Sequence, residues 1–280
     1  MRRTKMPDIC CKELFVACAN KIANLPNRKK LLAYKENIDN QKVEYVDAAK
    51  NKKLHELLPA EDFLKVPTST WNNLYKNHMS KIGKVARDQY DKIKLMPEGV
   101  CPFCSTGTVT TLDHFLPKTK FPQYSVLVPN LVGCCQDCNK YKDAVVSNNL
   151  KQQLFHPYFE SIAGRWLKAE IIEESQPRAI FEVSESHELD SVTLTRAKNQ
   201  FEILKLGASY ATNASNEFRS IEHQLSGLLD KPNGSKNVRD YLKAEADSAD
   251  HATISVEWKV AFYEAAAKSN WYCSGGFRFR

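Results

Sequence analysis

Apolar residues recur at helical spacing over 9–24, where Ile9, Leu14, Phe15, Ala17, Cys18, Ile22 and Ala23 predict an amphipathic helix. Pro26 and Asn27 break it. Residues 28–57 read as one or two charged helices, and Pro59 and Pro67 bracket a connection holding Phe63 and Leu64. Thr68, Ser69 or Thr70 is a suitable cap for a helix over about 71–94, which Pro97 and Gly99 end. Further on, Trp166, Leu167, Ala169, Ile171 and Ile172, then Ala179, Ile180, Phe181 and Val183, with Pro177 near the turn, predict a β-hairpin over 165–184. An apolar stripe through Leu194, Ala197, Phe201, Ile203, Leu204 and Leu206 predicts helix over 189–228. A Lys-Pro-Asn-Gly-Ser turn at 231–235 follows, then helices at about 236–247 and 254–268 and a short extended tail over 275–280. This is an α+β pattern with three regions: a helical 1–97, a compact 98–160, and a mostly helical 161–280 with the hairpin.

Composition changes the picture little; charge changes it more. The chain has 280 residues, 42% hydrophobic and 26% charged, as in an ordinary globular protein. No stretch approaches the roughly 18 apolar residues of a membrane span. The apolar segment after Arg2, Arg3 and Lys5 is interrupted by Lys12 and Glu13, so it makes no clean leader, and a cytoplasmic protein without membrane contact is expected. The net charge of +7 is concentrated in the first hundred residues, while 161–280 are slightly acidic. Lys76, Lys81, Lys84, Arg87, Lys92 and Lys94 crowd the 71–94 helix, which suits a polyanion along one face. A lysine-rich solvated surface looks the same from sequence.

Candidate chemistry lies in 101–142. Nine cysteines without a leader argue against a disulfide framework, and five of them fall between 101 and 138. Cys101 and Cys104 form one CxxC pair; Cys135 and Cys138 form another, 30 residues on. Two such turns supply the four thiolates of a tetrahedral Zn²⁺ site. Cys134 is left over, since pairing it with Cys138 would give a less common CxxxC. Between the pairs stand Asp113 and His114, then Asn130, and Asn139 directly after Cys138. An imidazole near its natural pKa is a fit general base, and Asp and Asn oxygens suit Mg²⁺ or Mn²⁺. The zinc staple would hold Asn139 rigidly opposite Asp113.

In order, Cys101/Cys104, Asp113-His114 with Pro117, Asn130-Leu131, and Cys135/Cys138 with Asn139 and Lys142 resemble the HNH endonucleases, the ββα-metal or His-Me finger superfamily. The resemblance implies a ββα-metal core with a structural zinc. It casts His114 as general base, Asp113 and Asn139 as ligands of a catalytic Mg²⁺ or Mn²⁺, and Asn130 as the residue orienting the base's loop. The expected activity is phosphodiester hydrolysis of nucleic acid, DNA favoured and RNA possible, with Lys118 and Lys142 meeting phosphates. Tyr90-Asp91-Lys92-Ile93, His156-Pro157-Tyr158 and the ending from Trp258 to Gly276 look more loosely like the HNH subunit of Septu and certain retrons. That likeness implies an anti-phage effector with an ATPase partner subunit.

Two rivals stay open: a zinc-stabilised nucleic-acid-binding or adaptor subunit without catalysis, and a toxin-like nuclease that cuts RNA. Lys120 and Lys140 flank the site and read equally as phosphate contacts or ordinary surface. His156 reads either as a group near the site or as a turn histidine before Pro157. The 277–280 tail would stack on bases or dock on its own chain, and the helix around Trp258 reads as core or partner interface.

Overall fold

The computed structural model describes residues 2–185, 188–252 and 256–278. They form an α+β protein, mostly helical with two small sheets, in two compact units, Arg3–Ser161 and Ile162–Arg280. Among the described residues no helix is long and apolar enough to cross a membrane.

The first unit opens with α1 (Cys11–Ala19), α2 (Leu25–Tyr34) and α3 (Ile38–Lys50). α1 is shorter than its apolar pattern, but Leu14, Phe15, Cys18 and Ile22 are all buried. Asn24 caps α2 by accepting from the Asn27 amide, with Pro26 in the first turn. The expected basic helix over 71–94 is not continuous. α4 (Thr68–Asn73) runs into a π-helical turn, Leu74–Met79; residues 80–86 leave helical geometry around Gly83 (φ +72°); and α5 (Arg87–Leu95) resumes. Gly83 suits the break, since it adopts left-handed geometry without a Cβ penalty. The three hydroxyl residues do not cap either: Pro67 precedes α4, and Asp62 Oδ1 accepts from the Thr68 amide.

Two antiparallel strands follow, β1 (Thr111–His114) and β2 (Leu131–Cys134), in the register Thr111↔Cys134 to His114↔Leu131. α6 (Gln136–Lys142) comes next. Unlike a sheet with a wet face, β2 is buried along its whole length, because α5 packs against it. Gly133 permits that approach: a Cβ there would stand 3.1 Å from the Lys94 carbonyl oxygen and the Pro97 ring.

The second unit pairs β3 (Leu167–Ile172) with β4 (Arg178–Val183), as the hairpin pattern predicts. Ala179, Phe181 and Val183 point to one side and are buried. The single helix expected over 189–228 is two, α7 (Ser191–Ile203) and α8 (Leu206–Leu229), parted at Lys205 by a left-handed residue (φ +51°). Asp190 caps α7 from both Val192 and Thr193. α9 (Gly234–His251) and α10 (Glu257–Lys268) complete the unit around Phe218, Phe262 and Tyr272. The tail is not extended as far as it is described: a π-helical turn spans Tyr272–Gly276, and Phe277 is fully buried against Tyr272. Phe279 and Arg280, and the 254–255 start expected for the last helix, lie outside the described residues.

Candidate metal centre and cleft

The four paired cysteines converge. The Sγ atoms of Cys101, Cys104, Cys135 and Cys138 all lie within 4.8 Å of one another, and all four residues are buried. Cys104 and Cys135 Sγ are 3.9 Å apart, close to the edge of about 3.8 Å that follows from a tetrahedron with Zn–S bonds of about 2.3 Å. Backbone and side-chain donors already point at the sulfurs. Gly107 N–H and Thr106 Oγ1 each donate to Cys104 at 3.3 Å, and Cys138 N–H donates to Cys135 at 3.4 Å. Such bonds favour thiolates over thiols. Among the four sulfurs the effect is divided: hydrogen bonds from Cys101 hold Cys104 and Cys135 below the ordinary thiol value, while burial raises Cys101 and the neighbouring sulfurs raise Cys138. The first pair sits in a tight knuckle closed by Cys101 N–H to Gly107 O at 2.8 Å. A Cβ at Gly107 would lie 2.7 Å from Cys135 Cβ, so only glycine fits. The cluster is thus positioned to bind a metal ion, and its donor set suits a structural zinc. Cys134 stands outside it, as the last residue of β2.

The same staple aims α6 at β1. Asp113, His114, Lys118, Asn139 and Lys140 line one open cleft of roughly 680 Å³, together with Tyr75, Pro117 and Asp143. His114 is 5% exposed. Its Nε2 is 2.8 Å from the Ser125 carbonyl, an acceptor only, so Nε2 carries the proton and Nδ1 keeps its lone pair. Burial pushes the imidazole down to about 3, with the Lys118 charge acting in the same direction, so it is neutral at physiological pH but a weaker base than the near-natural value expected from the sequence.

Asn130 lies behind the cleft, fully buried. Its Oδ1 accepts from Leu116 N–H (2.7 Å), and its Nδ2 donates to Leu116 O (3.0 Å) and Tyr124 O (3.2 Å). Its backbone carbonyl accepts from Phe115 N–H (2.8 Å). These bonds tie both ends of the 115–130 loop, which also supplies the Ser125 carbonyl.

Lys142 departs from the expected phosphate contact. It is 1% exposed, donates to His114 O at 2.7 Å, and lies 3.0 Å from Asp113 Oδ2. Its aliphatic stem and ammonium are drawn inward by a carboxylate that burial would otherwise leave uncompensated. Only its contact with Oδ1, at 3.2 Å, has hydrogen-bond geometry, so Asp113 Oδ2 keeps no directed donor. Burial raises the Asp113 carboxyl above its ordinary value, and Lys142 pulls it back. His156 is buried too, with Tyr158 N–H donating to its Nδ1 at 3.2 Å; it does not line the cleft.

Two tyrosines of the helical arm join the site, and no sequence pattern marked them. The Tyr75 ring meets His114 edge to face at 4.4 Å, and the Tyr45 hydroxyl donates to Asn130 Oδ1 at 2.9 Å.

Comparison with known proteins finds a relative in phage lambda of Escherichia: 161 residues align at 29% identity with Protein ea31, covering 56% of this chain. The match spans 54% of that protein, about half its length. No family model matches the chain, and no solved structure does.

Proposed function

We propose that the protein is a metal-dependent endonuclease of the HNH type that hydrolyses phosphodiester bonds of nucleic acid, DNA being the favoured substrate. The observation that carries this reading is the state of His114: a neutral imidazole at a cleft, its tautomer set by the Ser125 carbonyl, with Nδ1 left as a base. Strand, strand and helix (β1, β2, α6) bring it beside Asp113 and Asn139.

A divalent cation fits the oxygen donors present. Asp113 Oδ2 has no directed hydrogen-bond donor but lies 3.0 Å from the Lys142 ammonium, so it would take a cation in exchange for that contact, and Asn139 on the cleft lining would add an amide oxygen. One carboxylate and one amide suit Mg²⁺, which keeps several of its waters. When bound, such an ion stabilises charge developing on a phosphate. The chain's own part is then definite. Nδ1 of His114 takes the proton of the attacking water. Ser125 and Tyr75 hold the ring, and Lys118 faces the cleft as a cation for the incoming phosphate.

The test is cleavage of plasmid DNA, single-stranded DNA and total RNA by the protein and its His114→Ala variant, with Mg²⁺, with Mn²⁺ and without either. Metal-dependent cutting lost in the variant is expected, with DNA consumed. Cutting at the unvaried rate by His114→Ala would sink the mechanism. The anti-phage role implied by the looser resemblance belongs to the same proposal, and copurification of an ATPase from native extract tests it.

A further inference from the structure

Outside the cleft, the segment that breaks the basic helix has the features of a contact surface. No acidic residue occurs between Asp62 and Asp88, while Lys65, Lys76, Lys81, Lys84 and Arg87 do. Residues 81–85 are all exposed, and at their head Ile82 is 86% and Val85 50% exposed. An isoleucine so presented gains nothing from folding. The loop is nonetheless a built turn. Ser80 N–H donates to Tyr75 O at 2.8 Å, Ala86 N–H to His78 O at 3.2 Å, and Lys84 N–H to Lys81 O at 3.3 Å. Two of its cations and Lys21, which follows α1, act on one spot: after burial itself, Lys84, Lys21 and Lys81 hold His78 below its ordinary value. In the cleft, the Lys118 ammonium lies 5.6 Å over the ring of Tyr75, whose carbonyl anchors the turn through Ser80 N–H.

An apolar tip between lysines, on a hydrogen-bonded turn, matches the chemistry of a stacked double helix: phosphates for the lysines, a base step for the apolar wedge. We propose that the 80–86 loop is a second duplex-binding element, in which Lys81 and Lys84 hold backbone phosphates and Ile82 wedges between bases. This rests on the nuclease reading for the class of ligand, but it concerns a separate surface.

The experiment uses the full chain carrying His114→Ala, without added magnesium, so that binding is read without cutting. Anisotropy of a short DNA duplex is followed across a salt series, and a 2-aminopurine reporter in the duplex reads unstacking. Lys81→Ala/Lys84→Ala is expected to make the slope of log affinity against log salt shallower by about two. Ile82→Ser is expected to leave the slope unchanged, lower affinity severalfold and abolish the 2-aminopurine rise. A slope unmoved by the lysine changes, or no unstacking signal in the parent, overturns the proposal. So does a parent that binds no duplex, or loop variants whose one loss is a copurifying protein. Cleavage by the unvaried chain, measured alongside, decides the nuclease reading separately: cutting with loop variants that bind normally sinks the loop and spares the nuclease.

Discussion

At the scale of single residues, the site is organised by buried polar groups with few alternatives. Asn130 uses its amide to bind Leu116, Tyr124 and Tyr45 at once. Asn130→Ala strands buried partners, and should cost at least about 2 kcal/mol in urea unfolding. Lys142→Met leaves the Asp113 carboxylate buried and unpaired, and should cost about 3–5 kcal/mol, partly restored in Asp113→Asn/Lys142→Met. An unchanged urea midpoint in Lys142→Met would remove the buried pair from the account. Burial pushes His156, like His114, down to about 3. Unfolded imidazoles take up protons near 6.5 that the folded ones refuse. Stability is therefore level in these groups above about pH 6.5, and falls as pH drops from there toward 3, by about 1.4 kcal/mol per unit for each histidine. Urea titrations over that range should show a shallower decline in His156→Gln than in the parent.

At the scale of elements, short pieces are held by ligation and packing. β1 and β2 are four residues each, and α6 is seven; none would persist alone. The cysteine cluster ties the knuckle at 101–107 to the start of α6, so a metal ion bound there would contribute folding energy to this region. Cys101→Ser, or removal of zinc by a strong chelator, should lower the melting temperature sharply and abolish cooperative melting of the first unit. Gly107→Ala should act the same way without removing a ligand, because its Cβ collides with Cys135. Elemental analysis of each purified variant checks both: full zinc content in Gly107→Ala would contradict the close-approach argument. The break at 80–86 belongs to this scale too, where a helical apolar pattern is interrupted around a left-handed glycine.

At the scale of the whole molecule, the helical arm is part of the site's framework. Tyr45 comes from α3 and Tyr75 from the turn after α4, and they reach Asn130 and His114. Residues 98–160 expressed alone should therefore fail to melt cooperatively even with zinc. Residues 3–161 should fold, as should 162–280, each with its own core. Circular dichroism melts of the three fragments test this, and a cooperative transition in 98–160 would assign the arm a peripheral role.

What the sequence determined by itself is what depends on local spacing. Two CxxC pairs mark a four-thiol cluster, a Pro-bearing apolar alternation marks the β3–β4 hairpin, and an apolar stripe from Leu194 to Leu206 marks the region of α7 and α8 as helical. Each is written in neighbouring residues, because turn geometry, strand period and helix period act over a few positions. What only the tertiary structure decided involves partners far apart in the chain. Lys142, a surface cation by its position after Asn139, is turned inward by a carboxylate 29 residues away. The Tyr45 hydroxyl finds Asn130 across 85 residues. The proton of His114 is placed by a carbonyl, and carbonyls are common to every residue and leave no mark in a sequence. Burial shifts the protonation of Asp113 upward and of His114 downward, and burial is a property of the assembled fold.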